Sequence, residues 1–449
     1  MFCLRILSGE LIINMDHALA ESVQQSIRPG KCSDLYYPDP ETAQKQCYRT
    51  SQNTRFIQGF QNLAGGSQTL TIPPNNGIQD IVVSMTVATL PSGSTGYALP
   101  RGWGYAMISR ISYRYGGSSQ YFLSGQQVLQ EALRKAPNGF ARDDLLALGG
   151  AALNNAQLLA GPASAYVWLP LPHCIPSADG KLPPIPSDLL TQQIQVTVEL
   201  ISPLTTVYSK VGASGAGPAT SLLAGQFAVQ QVLLENQGDA LARRVDMSTH
   251  ALSYPVNFTQ QEVTIPLGTQ SAGTSVAATL TGFRSGEVRN IQMWITADAD
   301  TASAGGQYNP FLWYAPENVI MTYAGEIFAR FDGGSGPLWN LVNGRITPQV
   351  NDVLTRSDLS TQAVVDSWLE CPFGQSYDAL TAHSMYVSGK PITNGIVNVT
   401  FTMPSFQKAT TAGAPTTPIA LPSGSYTLHC SYEYNAVLLF SAGTAEYVL

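Results

Sequence analysis

The chain closes on Tyr432-Glu433-Tyr434-Asn435-Ala436-Val437-Leu438-Leu439-Phe440, breaks at Ser441-Ala442-Gly443, and finishes with Thr444-Ala445-Glu446-Tyr447-Val448-Leu449. A solvated tail would be polar. Aromatic, β-branched and aliphatic side chains at this density require a sheet that buries them. Any fold for this sequence must therefore hold a strand at Tyr432 to Phe440 and a second short one after a small-residue turn.

The rest of the chain has the same texture. Period-two alternation marks strands at residues 68–72, 78–90, 108–115, 193–200, 226–234, 251–257, 261–267, 288–295 and 319–323. Turn residues separate them, with 40 Gly and 29 Pro among 449 residues. This is the pattern of an all-β protein, and the length asks for two domains of about 200 residues each. Helical spacing is confined to short pieces. Gly125 to Lys135 carries Val128, Leu129 and Leu133 on one side, and Pro337 to Asn343 is a second short piece. Near the start, Leu11, Met15, Leu19, Val23 and Ile27 recur four apart as one apolar stripe, ended by Arg28-Pro29-Gly30. Residues 31–54 are polar and read as an extended arm. Asn318 to Gly325 echoes Arg110 to Gly117, an apolar alternation through a tyrosine into glycine, which points to internal duplication.

Only 12% of residues are charged, about half the usual ~25%. Cores of protein–protein interfaces are depleted in Lys, Glu and Asp, so a chain this poor in charge fits one that hides surface against neighbours. Loops rich in Ser, Thr and Gly are the other way to reach that composition. The net charge of −7 argues against direct nucleic-acid binding, which calls for basic clusters. No apolar run is long enough to span a membrane. The six cysteines are scattered without a C-x-x-C pair and read as reduced thiols of an intracellular product. The short apolar start is followed closely by Glu10, which does not make a secretory signal.

No catalytic pattern emerges. There is no phosphate loop, and Gly374-Gln375-Ser376-Tyr377-Asp378 lacks the second glycine of a nucleophile elbow. The five histidines show no metal-ligand spacing. Asp298-Ala299-Asp300 lacks the acidic twelfth residue of a Ca²⁺ loop, Asn309 standing there. No catalytic, cofactor or metal residue is therefore expected, and the chain reads as not an enzyme.

Four stretches carry a family resemblance. They are the strand, Gly-Gly turn and helix from Ile108 to Lys135; Tyr166-Val167-Trp168-Leu169-Pro170 before a loop and the strand Gln193 to Leu200; Pro391-Ile392-Thr393-Asn394-Gly395 into the strand at Ile396 to Thr402; and the closing stretch. Together, from Ile108 onward, they resemble the double jelly-roll major capsid proteins of eukaryotic double-stranded DNA viruses: nucleocytoplasmic large DNA viruses, virophages and polinton-like elements. His173-Cys174 depart from the aromatic residues usual there. The resemblance implies two tandem eight-stranded jelly-roll β-sandwiches with short helices in loops and an N-terminal helix and arm. The expected division is an arm at 1–54, a first jelly roll at 55–245 and a second at 246–449. It implies a major capsid protein forming pseudo-hexameric homotrimers that tile an icosahedral virion shell, made and assembled inside the host cell. Neighbouring capsomers, minor or penton capsid proteins and an inner membrane face are the implied partners. Leu11, Met15, Leu19, Val23 and Ile27 are the candidate assembly contact, and residues 205–225 and 296–310 the expected exposed loops. Two alternatives remain: a minor or vertex capsid protein, and a jelly-roll carbohydrate-binding or glycan-active protein.

Overall fold

The computed structural model describes residues 50–60, 66–72, 77–116, 121–135, 139–169, 171, 185–187, 190–234, 252–298, 313–331, 368–373, 389–392, 395–404, 406–407, 419–420, 423–441 and 443–448. In chain order the first half forms β1 (Thr50–Phe60), β2 (Gly66–Ile72), β3 (Gly77–Val87), β4 (Thr95–Ala98), β5 (Ile108–Arg114), β6 (Tyr121–Ser124), β7 (Ala163–Leu169), β8 (Ile185–Pro186), β9 (Ile194–Leu200), β10 (Ser209–Ser214) and β11 (Ala224–Leu234). One sheet runs β1-β11-β3-β7, with β8 added to β3; the facing sheet runs β2-β9-β5-β6. All these pairs are antiparallel. Strands distant in sequence lie side by side, which is jelly-roll topology. Period-two alternation explains the sandwich. Ile81, Val83 and Met85 on β3 point inward with Val196 and Val198 on β9, all at most 2% exposed.

The second half repeats the arrangement with β12 (Leu252–Thr259), β13 (Val263–Gln270), β14 (Ser275–Leu280), β15 (Glu287–Ala297), β16 (Glu317–Tyr323), β17 (Glu326–Phe331), β18 (Leu369–Pro372), β19 (Lys390–Pro391), β20 (Val397–Thr402), β21 (Phe406–Gln407), β22 (Ile419–Ala420), β23 (Gly424–Ser441) and β24 (Thr444–Val448). Its sheets run β12-β23-β15-β18 and β14-β20-β16-β17. β5 and β16, the two strands that echo each other in sequence, occupy the same place in their sheets.

The closing stretch is the centre of the second roll. β23 pairs with β12 and β13 on one side and with β15 and β24 on the other. The Ser-Ala-Gly break is the hairpin turn, where Gly443 takes φ 78°, a left-handed conformation that favours glycine.

Three sequence expectations change. The first strand starts at Thr50, inside the stretch expected as arm, and pairs with β11 from Leu234 onward. Residues 205–225 are only partly loop. Leu204, Val207 and Tyr208 are at most 2% exposed, and β10 pairs with β4, so the exposed part is the glycine-rich run beginning at Ala213. Of the interval 296–310, Thr296 and Ala297 complete β15 and are buried; the residues from 299 lie outside the described ones. The expected boundary at 245/246 and the helix Pro337 to Asn343 also lie outside them. Between β6 and β7 the chain forms the helix Gly125–Lys135, as its periodicity predicts, and two further helices, Gly139–Leu148 and Asn155–Ala160. No helix among the described residues is long and apolar enough to cross a membrane.

Candidate functional site

The helix Gly125–Lys135 is where the two rolls meet. Ser124-Gly125-Gln126-Gln127 closes its N-terminus as a capping box: the Gln127 backbone N–H donates to Ser124 Oγ (3.2 Å), and the Ser124 N–H donates to Gln127 Oε1 (3.1 Å). A side chain at Gly125 would strike the Ile108 carbonyl, so the helix starts hard against β5. Val128, Leu129, Ala132 and Leu133 fill the space beneath it at 0% exposure.

Gln127 also reaches across to the second roll. Its Oε1 accepts from the Glu262 backbone N–H (3.1 Å), and its Nε2 donates to the Gln260 carbonyl (2.7 Å) and to Ser431 Oγ (2.7 Å). One buried amide thus uses both donors and both acceptor positions, three of the four bonds joining the rolls. Next to it, Gln126 Oε1 accepts from Trp294 Nε1 (2.6 Å).

The helix meets the outward face of the sheet β12-β23-β15-β18 at Trp294 and Ser431. That face is polar yet sealed. Asn290, Gln292, Trp294 and Thr296 of β15, with His429, Ser431 and Glu433 of β23 and Glu370 of β18, are at most 7% exposed. Asn290 Nδ2 donates to Glu433 Oε2 (3.2 Å) and Glu370 Oε2 (3.3 Å), and Trp368 Nε1 donates to Glu370 Oε1 (3.0 Å). Trp294 stacks on His429, centroids 5.3 Å apart, and meets Trp313, which meets Trp368 edge-on. These partners offset part of the cost of burying polar groups, while Asn290 Oδ1, Gln292 Nε2 and His429 Nδ1 have no hydrogen-bond partner among the described residues.

The closing hairpin adds a second bridge. Tyr447 of β24 packs on Tyr115 and Tyr121 of the first roll and on Phe258 of the second. Thr191 donates its backbone N–H (2.8 Å) and its hydroxyl (3.1 Å) to the Gly443 carbonyl. Each aromatic pair contributes about 0.5–1.5 kcal/mol beyond its area.

Burial pushes the phenols of Tyr208 and Tyr434 up to about 12, and those of Tyr113, Tyr121 and Tyr432 are raised by the same cause. An unfolded tyrosine ionises near ~10. Stability is thus fully present below about pH 10 and is lost as pH rises toward 12, because only the unfolded chain gives up these protons. The slope is about 1.4 kcal/mol per pH unit for each such tyrosine. Urea midpoints at about pH 8, 10 and 11 should fall steeply in the last interval; a flat profile would mean the phenols are hydrated.

The assembly stripe Leu11, Met15, Leu19, Val23 and Ile27 lies outside the described residues. Asp298 accepts from Thr427 Oγ1 (2.8 Å), while Asp300 lies outside. Among the described residues no three His, Cys, Asp or Glu side chains gather as metal ligands would. Cys371 and Cys430 are free and buried, and burial first, then neighbouring charge, holds both thiols up, which removes them as nucleophiles. The sequence did not reveal a pair of acids, yet Glu370 and Glu433 come together through Asn290. Their 1% and 2% exposure leaves no access for a sugar substrate, so they are buried groups of the second roll and not the open carboxylate pair glycan cleavage needs.

No protein-family model matches the sequence, and no curated protein matches it. Solved structures resemble the fold along almost its whole length. A chain of the PBCV-1 virus capsid matches with TM-score 0.58 at 12% identity, over 90% of this chain and 97% of that one. A chain of the Sputnik virophage matches with TM-score 0.53 at 10% identity, over 89% and 88%. The Faustovirus major capsid protein matches with TM-score 0.53 at 8% identity, over 97% and 99%. Identities this low speak to fold and not to function. Two sandwiches of like strand order, joined by a sealed seam and matched end to end by these viral chains, give this protein the double jelly-roll fold.

Proposed function

We propose that the chain is a major capsid protein that forms homotrimeric, pseudo-hexameric capsomers tiling an icosahedral virion shell. The observation that carries this reading is the repetition of one strand order in two rolls fixed to each other within a single chain. Two similar lobes per subunit become six around a threefold axis, a near-hexagonal outline that can tile a curved surface through side-to-side contacts. The buried seam matters here, because a capsomer tiles only if its lobes keep a fixed angle. The low charge of the chain suits a surface spent on neighbours.

Leu11, Met15, Leu19, Val23 and Ile27 take the role of an inner contact with a neighbouring capsomer, a minor or penton protein, or an inner membrane face. The chemistry is structural, and no reaction is assigned to it.

Mass measurement with negative-stain imaging of the purified protein tests the reading. Particles of three chains with a hexagonal outline are expected. A monomer at micromolar concentration would refute it. Alanine at the five stripe positions should leave that trimer mass unchanged while reducing shell formation several-fold; unaltered shell yield removes the stripe from assembly.

A further inference from the structure

The hairpin of β23 and β24 carries Tyr447 into a group of aromatic rings drawn from both rolls. Tyr113 on β5, Tyr115 just after it and Tyr121 on β6 come from the first roll; Phe258 on β12 and Tyr447 come from the second. Tyr113 and Tyr121 are direct partners in the β5–β6 ladder, and the turn at Gly443 folds β24 back along β23. The rings of Tyr447 and Tyr121 have centroids 5.7 Å apart at 45°, and those of Tyr447 and Tyr115 are 6.1 Å apart at 74°. Rings at about 4.5–7 Å are in contact.

A bare ring is enough for packing here. Phe258 lies 5.0 Å from Tyr121 and 5.2 Å from Tyr447 without a hydroxyl. The phenols add a cost: Tyr113 Oη is buried with no hydrogen-bond partner among the described residues, which destabilises the fold. Burial raises the phenols of Tyr113, Tyr121 and Tyr447 well above their ordinary value, so they stay protonated at neutral pH. Protonated phenols held in contact share one kind of chemistry, the loss of an electron together with a proton.

We propose that Tyr447 and Tyr121 form a dityrosine bond on oxidation, a covalent lock between the two rolls of one chain. Each phenol gives one electron to a one-electron oxidant, of the class that a peroxidase or a photosensitiser supplies, and releases one proton. At Tyr121 the proton has a path, because the phenol lies against Thr259, whose hydroxyl donates to Glu131 Oε1 at 3.3 Å. At Tyr447 the half-buried ring reaches solvent. The two radicals carry spin on the carbons ortho to oxygen. Those carbons join, and the hydrogens they held move to the oxygens and restore both phenols. One C–C bond forms, two protons and two electrons leave, and two equivalents of oxidant are reduced. Thiols do not break such a bond, so the lock holds in reducing surroundings as well.

The test oxidises the full-length chain with photo-excited ruthenium tris-bipyridyl, persulfate being the electron acceptor, and reads tryptic peptides by mass. Peptide 115–134 should appear joined to peptide 409–449, lighter than their sum by two hydrogens, in chains that keep single-chain mass on a denaturing gel. The oxidised protein should also show a higher urea midpoint. Tyr447→Phe and Tyr121→Phe keep the rings, and unaltered melting curves verify the fold; each should abolish the joined pair and the rise in midpoint. Tyr115→Phe, within the same tryptic peptide, should leave both. A joined pair that survives Tyr447→Phe or Tyr121→Phe, or is lost in Tyr115→Phe, overturns the assignment. So does a link from peptide 111–114 to 115–134 in its place, a pair found only in covalent dimers, or no pair at all while Tyr166, 50% exposed, is oxidised.

Discussion

Replacing Trp294 with alanine is expected to lower the unfolding free energy by about 3–5 kcal/mol, the range for deleting a large buried aromatic. Trp294 is 0% exposed although it sits on the outward face of its sheet. Its ring lies flat on His429, with an interplanar angle of 9°, and faces Trp313 at 6.0 Å. Its indole N–H is held by Gln126 of the other roll. Truncation leaves a cavity between two rolls that cannot both relax into it, since each is fixed by its own sandwich. Trp294→Phe separates the terms: most of the ring volume stays, the cross-seam hydrogen bond goes, and about 1–2 kcal/mol should be lost. Urea unfolding followed by two probes reads both. Because the residue couples the rolls, the alanine variant should also unfold in two steps. A loss under about 1 kcal/mol in a single transition would mean the face is not a core.

How much of this the sequence discloses depends on which physical signal carries it. Strand identity is local. The alternation in Gln193 to Leu200 or Ile108 to Arg114 reports one buried face, and the structure pairs these very strands. The closing stretch announces its own burial because no solvated segment tolerates that side-chain set. Helical spacing suffices for Gly125–Lys135. Gly139–Leu148 and Asn155–Ala160 are too short for apolar spacing to declare them. The signal that would have placed the latter is Asn154 three residues before Gln157: their side chains cap each other's backbone N–H groups at 3.0 and 2.9 Å. β10 was obscured by its glycine-rich continuation.

The seam could not be read. Glu-Val-Arg-Asn-Ile-Gln-Met-Trp-Ile-Thr alternates like any strand with one wet face, so Asn290 and Gln292 look solvated. Asn290 is held by Glu370 and Glu433 of strands far apart in the chain, and Trp294 beside it by Gln126 of the other roll; no local pattern encodes those contacts. The pairing of Glu370 with Glu433 across Asn290 depends on strand order in the same way. A fold can thus be visible in periodicity while the surface that gives it function is not, since that surface exists only after both rolls have formed.

Gln127 tests that distinction most directly. Gln127→Ala should cost roughly 3–5 kcal/mol: the Ser124 N–H and three cross-roll partners lose their bond, at about 1–3 kcal/mol for each one that water cannot reach. Gln127 is 1% exposed, so rehydration through the seam is limited. Gln127→Glu keeps the shape and changes only the donors. An ionised carboxylate there would set oxygen against the Gln260 carbonyl, which now receives an N–H at 2.7 Å. A protonated one can still donate. Burial raises the folded pKa of that new acid above its unfolded value of ~4.3, so its stabilising donation is present at low pH and lost as pH rises through the folded pKa. The gap between Gln127→Glu and wild type in urea midpoint should therefore be smaller at about pH 5 than at about pH 8. A gap that does not change with pH, together with an alanine variant within about 1 kcal/mol of wild type, would place this amide outside the join and leave the rolls held by Trp294 on Gln126, Thr191 on Gly443 and the aromatic contacts of Tyr447.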